Sequence, residues 1–165
     1  MVASVRLDRI DINILVQLQA DGRMTNVHLA DAVGLSPSPC LQRVKRLEAA
    51  GYITSFQARL NLAKIMESVT VFTEVTLSDH HREDFLRFEQ KIRQVDEVME
   101  CHLISGGYDY LLRFITRSIA HYQRVMEALI EDEIGIEKYF SYIVIKTPIN
   151  KEQLPLRTLM EGQGQ

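Results

Sequence analysis

The chain has 165 residues, 46% of them hydrophobic, and a formal net charge of −3 at pH 7. That length holds one substantial domain or two small ones, each with its own core. No apolar run approaches the roughly 20 residues of a membrane span, and the N-terminus MVASVRLDRID lacks the apolar stretch of a secretion signal, so a soluble cytoplasmic protein is expected. Cys40 and Cys101 have neither a CxxC partner nor a metal-type His spacing nearby, which argues against a disulfide framework or a zinc site. No metal and no cofactor are expected.

Charge is unevenly spread. Residues 1–60 carry seven Lys or Arg against five Asp or Glu, whereas residues 61–165 carry twelve against seventeen. A mildly basic N-terminal part joined to an acidic remainder suggests a module that meets DNA, carried by one that does not.

In chain order, Asp8 can cap a first helix over about Arg9 to Ala20, with Ile10, Ile14 and Leu18 on one face, and Asp21-Gly22 ends it. Thr25 to Gly51 reads as two short helices joined by a tight turn. Thr25 caps the first, Leu29, Ala30 and Val33 share its inner side, and Gly34 ends it. The run Ser36-Pro37-Ser38-Pro39 then supplies a hydroxyl cap and prolines for the first turn of the second helix.

At 100° per residue that second helix gathers Cys40, Leu41, Val44, Leu47 and Glu48 on a core side. Ser38, Pro39, Gln42, Lys45 and Arg46 are left on the free side. A face with short side chains at its start, an amide in the middle and cations beyond suits a helix entering the major groove. Gln42 can pair with adenine and Arg46 or Arg43 with guanine, each worth about 1–3 kcal/mol against a wrong base. Lys45 and Ser38 are assigned to phosphate, which sets register without reading sequence. Thr25, Asn26 and Ser36 complete the expected DNA-facing set. An ordinary helical hairpin with solvated cations is the other reading of this stretch.

After Gly51 the period changes. Tyr52 to Leu60 alternates as a strand or two-stranded wing does, so residues 1–60 form a winged helix-turn-helix. Residues 61–67 read as a linker with one helical turn. The second module, residues 68–150, begins with a strand over Ser68 to Leu77, then a helix over Arg82 to Val95 carrying Phe85, Phe88, Ile92 and Val95. A strand over Val98 to Ile104, the turn Ser105-Gly106-Gly107-Tyr108 and a strand over Asp109 to Ile115 make a hairpin. A helix over about Ile119 to Glu131 and a last strand over Ile136 to Thr147 follow.

That order is βαββαβ, a ferredoxin-like sheet with both helices on one face, so the fold class is α+β. The strands' other sides carry apolar residues too, and a partner chain is expected to cover them in a homodimer. The tail, residues 151–165, is expected to be ordered at Leu154-Pro155-Leu156 and loose beyond.

Three stretches, LDRIDINILVQLQADGR, LADAVGLSPSPCLQRVKRLEAAGYI and SGGYDYLLR, together resemble the Lrp/AsnC (feast/famine) transcriptional regulators. The resemblance runs from Leu7 to about Leu156. It implies a C-terminal RAM/ACT-like module that binds a small effector, usually an amino acid, and dimerises through its sheet, with dimers assembling into an octameric disc around which DNA wraps. The family's effector loop matches at Ser105, Gly106, Gly107, Tyr108, Asp109 and Tyr110. Two glycines expose backbone N–H groups for a carboxylate and Asp109 can face an ammonium. On the residues alone, a glycine turn held together by Asp109 is the favoured reading, and the resemblance tips the balance toward an effector site. Glu100 and His102 on the incoming strand and Ser141 on the last one are further candidates for the pocket.

Adjacent strand residues point to opposite faces, so Cys101 and His102 are not a catalytic pair, and His80-His81 reads as a solvated turn. With no nucleophile–base pair, metal set or phosphate loop, catalysis is not expected. The function read from the sequence is sequence-specific transcriptional regulation modulated by a small effector. An amino-acid-binding regulatory subunit of an enzyme, and an architectural DNA-binding protein without an effector, are the competing readings.

Overall fold

A computed structural model describes residues 6–161, which divide into two compact units. The first holds the described residues up to Arg59 together with those from Ile149 onward; the second spans Leu60–Pro148. The segment 61–67, read as a linker, therefore belongs with the second unit, and the tail joins the first.

The first unit is built on α1 (Arg9–Ala20), α2 (Asn26–Val33) and α3 (Pro37–Ala49). Asp8 caps α1 in a reciprocal box, its carboxylate accepting the Asp11 N–H at 2.8 Å while Asp11 accepts the Asp8 N–H at 3.1 Å. Thr25 caps α2. Gly34 ends it at φ 71°, and the Leu35 N–H reaches back to the Ala30 carbonyl at 2.8 Å, the left-handed closure that glycine permits. Ile14, Leu29, Ala30, Cys40 and Leu47 form the buried core.

Three expectations fail here. Ser36 occupies the cap position of α3, but its hydroxyl makes no cap bond. Leu41, placed on the core side, is 43% exposed, because the three-helix core is already closed by Cys40, Val44 and Leu47. Tyr52 to Leu60 forms no strand; Ile53 packs on the core, but this segment finds no strand partner among the described residues. The tail is more structured than expected: α7 (Leu156–Met160) lies against α1, the Leu154 N–H donates to Gln19 Oε1 at 2.9 Å, and Arg59 pairs with Glu152 at 2.7 Å. Residues 162–165 of that tail lie outside the described residues.

In the second unit a short α4 (Leu62–Ile65) precedes β1 (Val69–Leu77), α5 (Arg82–Ile92), β2 (Val98–Leu103), β3 (Tyr110–Thr116), α6 (Ile119–Glu131) and β4 (Ile136–Ile143). The strands pair antiparallel in the order β2-β3-β1-β4, the ferredoxin-like arrangement. Val71, Val75, Leu77, Leu112 and Phe114 face Phe88, Ile92, Tyr122, Met126 and Leu129 of the helices in one dry core. β4 ends at Ile143, short of the expected Thr147. Ile119, at the start of α6, is 46% exposed.

The opposite sheet face carries Phe72, Glu74, Leu111, Arg113, Phe140 and Tyr142. Phe140 and Tyr142 are 58% and 52% exposed, a large apolar area for a surface. Among the described residues no helix is long and apolar enough to cross a membrane.

Candidate DNA-reading helix and effector loop

The α2–turn–α3 element fixes each candidate reader. The Thr25 hydroxyl accepts the His28 N–H at 3.3 Å, and the Asn26 amide donates to the Pro37 carbonyl at 2.8 Å. Thr25 thus holds the start of α2, and Asn26 ties it to the start of α3. Pro37 and Pro39 remove two of the first N–H groups of α3, and the Ser36 and Ser38 hydroxyls are exposed beside the remaining Ser38 N–H. Gln42 and Lys45 lie further along the same helix, Gln42 exposed and Lys45 open to solvent.

The two arginines behave differently. Arg43 turns toward α1, where its Nη1 lies 2.6 Å from Asp8 and 2.8 Å from Asp11, and it is half-buried there. There it braces α3 against α1. Arg46 gives Nη2 to Asp11 at 2.6 Å but keeps 42% of its side chain exposed. Burial by itself would raise the Asp8 carboxyl; the Asp11 backbone N–H and the Arg43 guanidinium outweigh it and hold the group below its usual range. The clamp had a legible signal, since the acidic pair Asp8/Asp11 and the basic pair Arg43/Arg46 share the i,i+3 spacing of one helix face.

In the second unit, the β2–β3 connection closes with the Ile104 N–H on the Asp109 carbonyl at 2.9 Å. Asp109 is also tied to β1: its Oδ2 accepts the Leu77 N–H at 2.8 Å, and its own N–H donates to the Val75 carbonyl at 2.9 Å. His80 Nε2 lies 3.0 Å from Asp109 Oδ1. Sequence reasoning left His80 in a solvated turn, because nothing local shows that the β1–α5 loop passes beside the hairpin.

Gly106 and Gly107 do not take a left-handed backbone, and a Cβ at either would meet no atom within 4 Å. Neither the turn nor packing among the described residues requires glycine at these two positions. The loop Ser105 to Gly107 is exposed, and Tyr108 is half-buried.

The remaining candidates do not converge on that loop. Tyr110 points into the helix-side core, stacked against Phe88 with ring centroids 4.5 Å apart, and donates its hydroxyl to Glu89 at 2.9 Å; burial and that carboxylate raise its pKa. Ser141 also faces the helices, sharing a hydrogen bond of 2.5 Å with Tyr122, whose hydroxyl meets Thr73 at 2.8 Å. Glu100 and His102 lie on the opposite face, where Glu100 binds Arg113 at 2.7 Å and His102 at 3.3 Å. The alternation of β2, β3 and β4 therefore sorts the expected effector residues onto two faces and a loop.

The two halves of the chain match known families separately. Residues 7–54 match the winged helix-turn-helix DNA-binding model, and residues 70–154 match the Lrp/AsnC ligand binding domain. The chain belongs to the Lrp/AsnC family of transcriptional regulators. Relatives agree over nearly the full length. The transcriptional regulatory protein DoeX of Halomonas elongata is 44% identical over 143 residues, 87% of this chain and 90% of that one. The leucine-responsive regulatory protein of Escherichia coli is 39% identical over 152 residues, 92% and 93% of the two chains.

Among solved structures, a Neisseria meningitidis transcriptional regulator in complex with L-methionine superposes with a TM-score of 0.86 at 32% identity, covering 93% of this chain and 99% of that one. An AsnC family regulator from Agrobacterium tumefaciens gives 0.87 at 33% over the same shares. This Lrp/AsnC chain is thus a DNA-binding transcriptional regulator with a ligand-binding domain. No group of three or more His, Cys, Asp or Glu among the described residues is arranged to hold a metal ion.

Proposed function

We propose that this regulator reads its operator with the exposed side of α3 and is switched by an amino acid held at the β2–β3 loop. On α3, Gln42 contacts a base edge, Arg46 adds a second contact from its exposed side, and Ser36, Ser38 and Lys45 hold phosphate. Thr25 and Asn26 set the angle between α2 and α3, Pro39 keeps the first turn rigid, and Arg43 locks α3 to α1. At the loop, Ser105, Gly106, Gly107, Tyr108 and Asp109 form the wall, with glycine N–H groups for the carboxylate and Asp109 for the ammonium.

The observation that carries the effector reading is the pair of glycines that nothing among the described residues requires. Side chains are missing where an outside group, a ligand or a second chain, would approach the backbone closely. The L-methionine bound by the Neisseria relative supports an amino acid as that ligand. The exposed sheet face with Phe140 and Tyr142 supports a homodimer, and dimers assembling into an octamer would set several α3 helices on one DNA. We place the protein in the cytoplasm, where DNA and free amino acids meet, and assign it no catalytic activity.

The test is binding of the full chain to DNA upstream of its own gene and the neighbouring genes, over a range of salt, with each common amino acid added in turn. Specific retention that weakens as salt rises and shifts with one or a few amino acids is expected. Retention indifferent to every amino acid would favour the architectural reading, and amino-acid binding without DNA binding would favour an enzyme's regulatory subunit.

A further inference from the structure

The two edges of the sheet are finished differently. At one edge β4 carries Lys138 among its exposed side chains. At the other, β2 pairs only with β3 among the described residues, and its six residues, Val98–Leu103, include neither Lys nor Pro, the residues that commonly blunt a free edge. The pairing with β3 slips between Val98 and Glu100 and is regular from Glu100 to Leu103. The Ile104 N–H turns inward to the Asp109 carbonyl at 2.9 Å, so alternation points the N–H and C=O groups of Cys101 and Leu103 outward, where no strand of this chain meets them among the described residues.

Along that edge the side chains are arranged symmetrically about Cys101. Glu100 and His102 flank it, both exposed and both on the face opposite the helices. Met99 and Leu103 come next, 46% and 60% exposed. Hydrogen bonds from Arg113 and His102 hold the Glu100 carboxyl below its usual range, so a fixed negative charge stands one residue before Cys101 and an imidazole one residue after it. On the helix side, Met99, Cys101 and Leu103 border a recess of about 360 Å³ shared with Ile92 of α5.

We propose that the β2 edge joins two copies of this chain, antiparallel, about a two-fold axis at Cys101. In that register the Cys101 N–H of each copy donates to the Cys101 carbonyl of the other. Glu100 of each copy stands directly opposite His102 of the other, in the closer, non-hydrogen-bonded kind of pair, and Met99 falls opposite Leu103, covering the apolar border of the recess. The neighbouring registers that keep the outward backbone groups paired set Glu100 against Glu100 or His102 against His102, so charge selects this one. The contact uses the edge of the sheet and not the face of Phe140 and Tyr142; it adds to a sheet-face dimer and does not depend on one.

Oxidation of the full chain with copper–phenanthroline tests the register, because opposite residues of a hydrogen-bonded pair stand about 5.5 Å apart, within disulfide reach, and the other cysteine, Cys40, is wholly buried. A covalent dimer through Cys101 is expected, absent in Cys101→Ser. His102→Glu sets like charges opposite each other at both ends of the pairing; it is expected to slow the cross-link and to raise the dissociation constant of the assembly, read by sedimentation, about tenfold. His102→Lys, at the same exposed position, keeps opposite charges facing and is expected not to raise it. Phe140→Asp, on the sheet face, is expected to leave the cross-link in place. No cross-link in the wild type, an equally fast one in His102→Glu, its loss in Phe140→Asp, or the same change in dissociation constant from His102→Glu and His102→Lys would each overturn the proposal.

Discussion

Asp11, shielded completely from solvent on α1, receives Arg43 on one carboxylate oxygen at 2.8 Å and Arg46 on the other at 2.6 Å. Helix α3 is therefore held by charge as well as by Cys40 and Leu47. Arg43 and Arg46 both retain some solvent, so removing Asp11 does not strand them in a dry interior, but it deletes two charge-assisted bonds and half of the α1 capping box at once. Asp11→Ala is expected to destabilise the first unit by about 2–3 kcal/mol, read from urea unfolding, and to weaken DNA binding beyond the loss in folded fraction. Wild-type stability in this variant would show that the clamp does not hold α3.

The same cluster sets a pH dependence. Asp8 is held below the ordinary carboxylate range in the folded chain, so its contribution is complete above the unfolded value of about 3.9 and disappears as pH falls through the lower, folded value. Asp8 is half exposed, so the effect is small. Between about pH 5 and pH 2 the difference in urea midpoint between wild type and Asp8→Asn should shrink toward zero. A difference constant across that range would contradict the sign.

Most of the element order was readable from periodicity alone: α1 and α6 fall where the spacing of apolar residues puts them, and Val71, Thr73, Val75 and Leu77 face the core as alternation requires. The caps at Asp8, Thr25 and Gly34 follow from residue type. What local pattern does not carry is partnership. Arg43 looks like any solvated cation until Asp8 and Asp11 are brought opposite it. His80 meets Asp109 only because the sheet sets its loop beside the hairpin, and Ser141 meets Tyr122 only through the register with Thr73. The segment from Tyr52 to Leu60 went astray for a related reason, since alternation shows that a segment can pair without supplying a second strand.

The Tyr122 hydroxyl joins Thr73 and Ser141 under α6, with the ring edge-on to Phe114 at 5.3 Å. Tyr122→Phe keeps that ring contact but leaves the buried Thr73 hydroxyl without its partner, and should cost about 1–2 kcal/mol in urea unfolding. Ser141→Ala should leave the effector concentration that half-shifts DNA binding unchanged. A weakened effector response in Ser141→Ala, at wild-type stability, would return this residue to the pocket.

Under the proposed function Asp109 has a structural role and a ligand-facing one, and one substitution can separate them. Its Oδ2 holds the Leu77 N–H, a bond that an asparagine oxygen can still accept, whereas the charge is needed only to face an ammonium. Asp109→Asn should therefore keep a near-wild-type urea midpoint and basal DNA affinity while losing the effector response, and His80→Gln should lose neither. An Asp109→Asn protein that responds normally to effector would assign the residue to holding the hairpin alone.

On α3, Gln42 and Lys45 are three residues apart, and only Gln42 carries an amide that can read a base edge in two places at once. Loss of a bidentate amide contact costs about 1–3 kcal/mol at one base pair, so Gln42→Ala should weaken the preferred operator and narrow its advantage over a variant changed at that position. Lys45→Ala should weaken all duplexes alike and lower the salt dependence of binding by about one counterion per site. Titrations of each variant against operator and scrambled duplex at several salt concentrations distinguish the two effects. If Lys45→Ala changes base preference and Gln42→Ala weakens all duplexes alike, the helix enters its groove turned about its axis, with Lys45 rather than Gln42 toward the bases.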